Sequence, residues 1–408
     1  MEPPDLKKIL FVEQNQDGTI GGSYYCLLYI IQLIDKTKFK PLVMFYQENS
    51  LSEDFKKSGA EVLLYKKPRG KDLFSKFKKY RPLYLGLKLI EKSYNIINKH
   101  IIPTVRFTAI LKREKIDIIH LNNSVIFGFE WIIAAKILGK PCLTFQRGYH
   151  DRLSMFNKFF GNRFDGIYCV SDVIRKNLLD NGIDSRRCFT LYDGIDPEKL
   201  VKKIQRSPLL VRNEFQLNSS DLVIGMIGNF VPWKGQDILV RAVGLLANKY
   251  PNIRCLLIGS IGTEMKYQGY LNEIQEIIKE GNLQNNIIIT GYRTDIADLL
   301  NAVDIQVHSP TSPDPFPHVI LEGMTLGKAI VASNIGGAVE SLEDGKSGVL
   351  VPPSNPEILA DKISLLISNA DLRRTMGQNA KKRVQEKFHI KYNIENIQNI
   401  YDKFTIKN

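Results

Sequence analysis

Apolar residues fall in short, near-continuous runs along this chain, separated by segments of helix length. Runs at 9–12, 42–46, 62–65, 116–121, 142–145, 167–170 and 189–191 read as strands covered on both faces, since a strand buried on one face would alternate apolar and polar positions. A second series occupies 222–227, 254–258, 287–290, 305–308, 330–332 and 349–351. Strands alternating with helices predict parallel sheets, and two series predict two doubly wound α/β domains. Each should take its ligand where loops leave the carboxyl ends of the strands. The polar segment 196–221 reads as the connector, and 381–404 as a final polar-rich helix. The sequence has no short-period repeat and no low-complexity tract.

Length agrees with this division, because 408 residues exceed what one core usually serves, and 44% hydrophobic content marks a globular chain. Cys26, Cys142, Cys169, Cys188 and Cys255 sit in apolar runs without C-x-x-C or zinc spacing, so core packing and reduced thiols are expected. The polar first eight residues lead straight into the run at 9–12, without the apolar stretch of a signal peptide, and nowhere do 18 apolar residues follow one another. The expectation is a cytoplasmic protein, neither spanning a membrane nor exported by that route.

The net charge of +13 is uneven. Between Lys66 and Arg106 stand twelve Lys or Arg against only Asp72 and Glu91. Phe74, Phe77, Tyr80, Leu83, Tyr84, Leu87 and Ile90 interleave with these cations at mostly three- and four-residue spacing, which suits an anionic membrane surface. A solvated helix face with inward aromatics would give the same pattern. Nucleic acid is the third reading, and it is disfavoured by the lack of helix-turn-helix, RNP or zinc patterns.

Candidate chemistry concentrates in Asp314-Pro-Phe-Pro-His-Val-Ile-Leu-Glu322, directly after the run at 305–308. Pro317 suits a first helical position, which would leave the amides of His318, Val319 and Ile320 aimed outward to hold a diphosphate. Glu322 follows His318 by four residues and shares its face, where a carboxylate can accept two hydrogen bonds from a ribose diol. The plain alternative is a strand, loop and helix in which Glu322 faces solvent or meets a lysine. After the first strand, Gly18-Thr-Ile-Gly21-Gly22 is not G-x-G-x-x-G, so a nicotinamide dinucleotide has little support.

The phrase from Asp314 to Gly327 resembles the E-x7-E hallmark of the retaining glycosyltransferases of family 4, E-G-F-P-N-V-L-L-E-A-M-A-x-G. Ala329-Ile-Val-Ala-Ser-Asn-Ile-Gly336-Gly337-Ala-Val-Glu340 is similar to P-V-V-A-S-x-x-G-G-x-x-E, and Gly228-Asn229-Phe-Val-Pro-Trp-Lys234-Gly235-Gln-Asp to G-R-L-x-x-x-K-G-x-D. Gly21-Gly22, Val170-Ser171 and Leu191-Tyr-Asp193-Gly194-Ile-Asp196 fall in the family's order.

The resemblance implies a GT-B fold, two Rossmann-like doubly wound domains facing across a cleft. Residues 1–200 would bind the acceptor, 201–385 the nucleotide sugar, and 386–408 would form a helix crossing back to the first domain. It implies transfer of a sugar, with retention, from a nucleoside diphosphate donor to a glycan or lipid-linked hydroxyl, in cell-surface polysaccharide or glycolipid assembly. Fixed cations and helix-end amides would then replace a metal at the leaving diphosphate, so no metal or other cofactor is expected. Lys234 would pair with the donor phosphates, Glu322 with the ribose, and Asp314, shorter than the family's Glu, with the sugar or its own loop. Gly22, Gly228, Asn229, Arg293, Phe316, Pro317, His318 and Val319 would complete the donor site, with Gly21, Asn122 and His150 on the acceptor side. Three departures stand out. Asn229 replaces the Arg that assists the lysine, Asn122 replaces a His near the donor sugar, and Arg147 occupies a frequent His position where it can restore charge. An impaired or partner-dependent transferase is the alternative those departures leave open.

Overall fold

The computed structural model describes residues 6–15, 21–66, 68, 72, 74, 81–261 and 267–405, with backbone only at 81–86. Two compact units divide the chain: Met1–Val170, Ile174–Leu191 and Ile394–Asn408 form one, Ser171–Val173 and Tyr192–Asn393 the other.

The first unit holds strands β1 (Lys7–Val12), β2 (Phe39–Phe45), β3 (Glu61–Leu64), β4 (Ile118–Leu121), β5 (Cys142–Gln146), β6 (Gly166–Cys169) and β7 (Cys188–Thr190) in the order β3-β2-β1-β4-β5-β6-β7. The second holds β8 (Leu222–Ile227), β9 (Ile253–Ile258), β10 (Ile287–Gly291), β11 (Ile305–His308), β12 (Ala329–Ser333) and β13 (Val349–Val351) in the order β10-β9-β8-β11-β12-β13. Every pairing is parallel. Each strand overlaps an apolar run of the sequence, as expected where helices cover both faces and leave no side for polar residues. In the second unit Ile224, Met226, Leu257, Val307 and Val331 on the sheet meet Leu239, Val243, Ile274 and Ile363 on the helices.

Strand order reverses between β1 and β4 in one sheet and between β8 and β11 in the other, and such reversals open a crevice at the strands' carboxyl ends. The sequence motifs sit there. Residues 13–22 follow β1 and 122–128 follow β4; 228–235 follow β8 and 309–317 follow β11.

The unit boundaries differ from the expected 200 and 385. Residues from Tyr192 on already belong to the second unit, because a Cβ on Gly194 would lie 2.6 Å from Ile390 Cα and Ile195 exchanges backbone hydrogen bonds with Phe388 and Ile390. The expected connector 196–221 carries two helices, Pro197–Lys202 and Pro208–Glu214, capped by Asp196 and Ser207 with proline following each cap. The last helix, Ile390–Thr405, passes to the first unit at Ile394, and there Tyr401 is fully buried against Phe11 and Phe39.

Of the basic stretch, Lys67, Arg69, Lys71, Lys76, Phe77, Lys78, Lys79 and Tyr80 lie outside the described residues, as do the side chains of Arg81, Leu83 and Tyr84; Gly18 lies outside as well. The chain from Arg81 onward is helical: Arg81–Ile96, a π-helical turn Ile97–Ile101, and Ile102–Arg113. Among the described residues no helix is long and apolar enough to cross a membrane.

Candidate functional site

In the second unit the loop after β8 closes in a 3-10 turn, Pro232–Lys234, followed by Gly235 in a left-handed conformation (φ 74°). No side chain fits at that glycine, since its Cβ would lie 2.1 Å from the Ser309 carbonyl oxygen. Thr311 N–H donates to the Trp233 carbonyl at 2.8 Å, and the Ser309 hydroxyl to that of Gly235 at 2.9 Å. The loops after β8 and β11 are therefore clamped together, and the clamp brings Lys234 Nζ to 2.6 Å from Asp314 Oδ2.

Gly336 and Gly337, in the turn after β12, hold Asp314 from the other side. Gly336 has φ 64°, and its Cβ would lie 2.3 Å from the Asp314 carbonyl oxygen, whereas Gly337 N–H donates to that oxygen at 2.8 Å. Burial alone would raise the Asp314 carboxyl; the His308 ring and the Lys234 ammonium outweigh it and hold the group well below the usual carboxylate range. His308, the last residue of β11, lies with Nε2 3.4 Å from Asp314 Oδ2, and burial keeps its ring neutral against the pull of that carboxylate. The outcome is an ionised carboxylate fixed beside an ammonium, which also lies 4.3 Å from the Trp233 ring centroid.

The helix His318–Thr325 carries the remaining groups. Pro317 is its cap in extended conformation rather than its first residue, and Ile320 N–H turns back to the Pro317 carbonyl at 3.0 Å. The outward amides thus shrink from the three expected to the turn ahead of Ile320. Gln306, fully buried in β11, donates to the Val319 carbonyl at 2.7 Å and fixes that turn. Gly323 makes room for it, because a Cβ there would fall 1.5 Å from Gln306 Oε1. Glu322, one turn deeper than His318, is only partly covered, and among the described residues its carboxylate has neither a hydrogen bond nor an ion pair. Burial raises its pKa, opposed by His318 and Lys203. A carboxylate desolvated without a protein partner is suited to accepting hydroxyl groups. His318 Nε2 lies 3.5 Å from Asp193 Oδ2.

Three expected donor residues take other positions. The Phe316 side chain is buried against Tyr192 (ring centroids 5.4 Å) and Phe388 (5.7 Å), so it anchors the loop and offers a ligand only backbone. Val319, half-buried, packs against the apolar cluster that includes Leu299 and Leu300. Arg293 is drawn into a separate ion network by Asp295 (Nε to Oδ1 2.8 Å) and Glu214, and Arg206 bridges the same two carboxylates and Asp298. Asn229 is exposed beside Gly228, where its carbonyl accepts from Gln236 at 2.9 Å.

The first unit gathers a second polar cluster at its own strand reversal. Glu13, fully buried after β1, accepts from Asn122 Nδ2 at 2.6 Å; burial pushes its carboxyl up to about 7, against the pull of Asn122, local amides and the Arg147 charge. Asn122 Nδ2 also donates to the Ser23 carbonyl at 3.0 Å. His150 Nε2 lies 3.1 Å from the Ser124 hydroxyl and 2.9 Å from Gln146 Nε2, and its backbone is held by Asn177 and Asn181. Those contacts make His150 a member of a framework. Among the described residues, a Cβ on Gly21 or Gly22 would meet nothing within 4 Å at the start of the helix Gly22–Leu33. Sequence reading passed over Glu13 and His308. Their signal was a charged or titratable residue at the carboxyl end of an apolar strand.

Comparison with known proteins places this arrangement. The sequence model of Glycosyl transferases group 1 matches residues 210–383, and that of Glycosyltransferase Family 4 matches residues 50–199. The capsular polysaccharide biosynthesis glycosyltransferase CapM of Staphylococcus aureus is 30% identical over 338 residues, covering 77% of this chain and 87% of its own. An uncharacterized glycosyltransferase of Methanocaldococcus jannaschii is 29% identical over 307 residues, 72% of this chain and 78% of its own. A glycosyltransferase from Rickettsia africae superposes with a TM-score of 0.81 at 22% identity, covering 99% of this chain and 100% of that one. Anabaena HepE, solved in complex with UDP, superposes at 0.78 with 23% identity, covering 97% and 100%. These likenesses establish the GT-B fold.

Proposed function

The chain belongs to the group 1 glycosyltransferases of family 4, and from that premise we propose that it transfers a hexose, with retention, from a nucleoside diphosphate sugar to a hydroxyl acceptor in cell-surface polysaccharide or glycolipid assembly. The observation that carries the donor is Glu322: a desolvated carboxylate with no hydrogen bond or ion pair among the described residues, one turn into a helix whose cap adjoins the Lys234 and Asp314 pair. The ribose diol would take Glu322, and the diphosphate would take Lys234 and the first-turn amides of the helix. Lys234 contributes most as charge grows on the leaving diphosphate, with Asp314 holding the ammonium in place. The acceptor hydroxyl attacks the anomeric carbon on the face the leaving phosphate departs from, the C–O bond to that phosphate breaks, and a phosphate oxygen receives the hydroxyl proton. These protein groups supply the stabilisation a metal would otherwise give. Relatives support the reading, since HepE is described with UDP and UDP-glucose and CapM in capsular polysaccharide biosynthesis. A lipid-linked acceptor would place the enzyme on the cytoplasmic face of an anionic membrane, where the basic stretch 66–106 is attracted.

Calorimetric titration with UDP, GDP and their sugars tests the donor. Glu322→Ala should weaken binding about ten- to hundredfold, the loss of a charged acceptor worth roughly 1.5 to 3 kcal/mol. Wild-type affinity in that variant would refute the assignment, and activity lost to EDTA and restored by magnesium would refute metal independence.

A further inference from the structure

The short helix Met155–Gly161 of the first unit presents its apolar residues to solvent. Met155 is 88% exposed, Phe156 52% and Phe159 53%. The exposure is enforced. Ser154 caps the helix by accepting from Asn157 N–H, Leu153 N–H is held by Asn181 Oδ1 at 2.8 Å, and Asn162 at the far end bonds the Gly182 carbonyl and Asp184 N–H. Under the exposed residues lies a stack of rings: Phe156 and Phe160 pack on Phe129 at 5.0 Å, and His100 packs on Phe129 at 4.9 Å. A pinned helix holding three large apolar side chains in water has a standing unfavourable term that a partner surface would remove.

The rim identifies that partner. Arg152, Lys158 and Arg163 surround the apolar tip, and the Arg163 guanidinium lies 3.3 Å from the Phe159 ring centroid. Glu130 is buried and bonded to His100 at 2.9 Å, Asp165 is paired with Lys136 at 2.7 Å and Asp184 with Arg186 at 2.6 Å, and Asp151 is exposed. Aromatic and methionine side chains at the tip with cations beside them match a bilayer interface, where rings sit at headgroup level and Lys and Arg meet lipid phosphates.

We propose that the helix Met155–Gly161 is a membrane anchor whose Met155, Phe156 and Phe159 insert into the interface of an anionic bilayer while Arg152, Lys158 and Arg163 bind the phosphates. It adds apolar insertion to the attraction of the basic stretch 66–106, which charge alone would leave reversible by salt. It does not depend on the donor assignment, because docking is read without turnover.

Full-length protein is tested with vesicles of phosphatidylglycerol and of phosphatidylcholine. Phe156→Trp should shift its emission to the blue and be quenched by lipids brominated near the headgroup, whereas Tyr292→Trp, exposed in the second unit, should do neither. Replacing Met155, Phe156 and Phe159 together by Ser should lower partitioning onto phosphatidylglycerol more than tenfold and leave nucleotide binding and circular dichroism unchanged. Loss of attraction in salt, with quenching of the indole in Phe156→Trp retained on already bound protein, would support insertion. An unquenched indole in Phe156→Trp on bound vesicles, equal partitioning onto both lipids, or a triple variant whose only change is loss of a dimer in sedimentation would each overturn the proposal.

Discussion

Glu13 shows how one buried atom group couples the first unit to pH. Its carboxyl moves from an ordinary 4.5 to about 7, chiefly through burial. Below pH 4.5 both folded and unfolded chains hold the proton; between 4.5 and 7 only the folded chain does, so stability falls as pH rises through that window and is level above it. At about 1.4 kcal/mol per pH unit the total is about 3 kcal/mol. Glu13→Gln keeps an acceptor for Asn122 without the charge, so it should melt at a nearly constant temperature between pH 5 and 8 and exceed wild type at pH 8; parallel pH profiles for the two proteins would contradict this. Lys234 answers a different question. Its ammonium faces Asp314, so Lys234→Ala should lower turnover about 10²- to 10³-fold while changing UDP affinity far less. Equal losses in both would make Lys234 a ground-state contact.

At the scale of elements, the strands were legible and the packing of loops was not. Parallel strands covered on both faces appear as apolar runs whatever their neighbours, which is why 222–227, 305–308 and 349–351 agree with β8, β11 and β13 to the residue. The loop from Asp314 to Pro317 depends instead on partners far along the chain. Tyr192 and Phe388 turn Phe316 inward, and Gly336 and Gly337 admit the backbone of Asp314 and Pro315, so no local pattern separates Phe316, packed among rings, from Asp314, paired with Lys234. The outward aromatics of Met155–Gly161 were equally invisible, because a helix rich in Phe reads as core until its surroundings are known. Arg293 tests the distinction between motif and packing. Held by Glu214 and Asp295, it should matter for folding more than for donor binding. Arg293→Met is expected to lower the melting transition by a few degrees, since it leaves Glu214 and Asp295 with Arg206 as their one remaining guanidinium among the described residues, and to leave UDP affinity within about twofold. A tenfold loss of affinity with unchanged melting would return Arg293 to the donor site.

For the whole molecule, the two units share one chain but not one core, and the last segment belongs to the core made first. Ile397 and Tyr401 are buried in the first unit, where the Tyr401 hydroxyl meets His120 Nδ1 at 2.5 Å and Gln398 Oε1 accepts from Asp35 N–H at 2.7 Å. His120 is itself buried and neutral, its pKa pushed down to about 3 by burial and the Arg147 charge, so a lost partner cannot be replaced by charging the ring. Deleting a buried aromatic of this size costs about 3 to 5 kcal/mol, and leaving the buried imidazole unbonded adds about 1 to 3. A chain ending at Asn393 should therefore lose protection from hydrogen exchange in β1, β2 and β4 while β8 to β13 keep theirs, and it should still bind UDP, because Lys234, Asp314 and Glu322 lie in a unit that ends there. Tyr401→Phe, which keeps the ring and removes the hydroxyl, should give a weaker form of the same selective loss. Uniform deprotection of both sheets would show the units to be one cooperative body, and unchanged protection of β1, β2 and β4 would show that the final helix is not part of the first core.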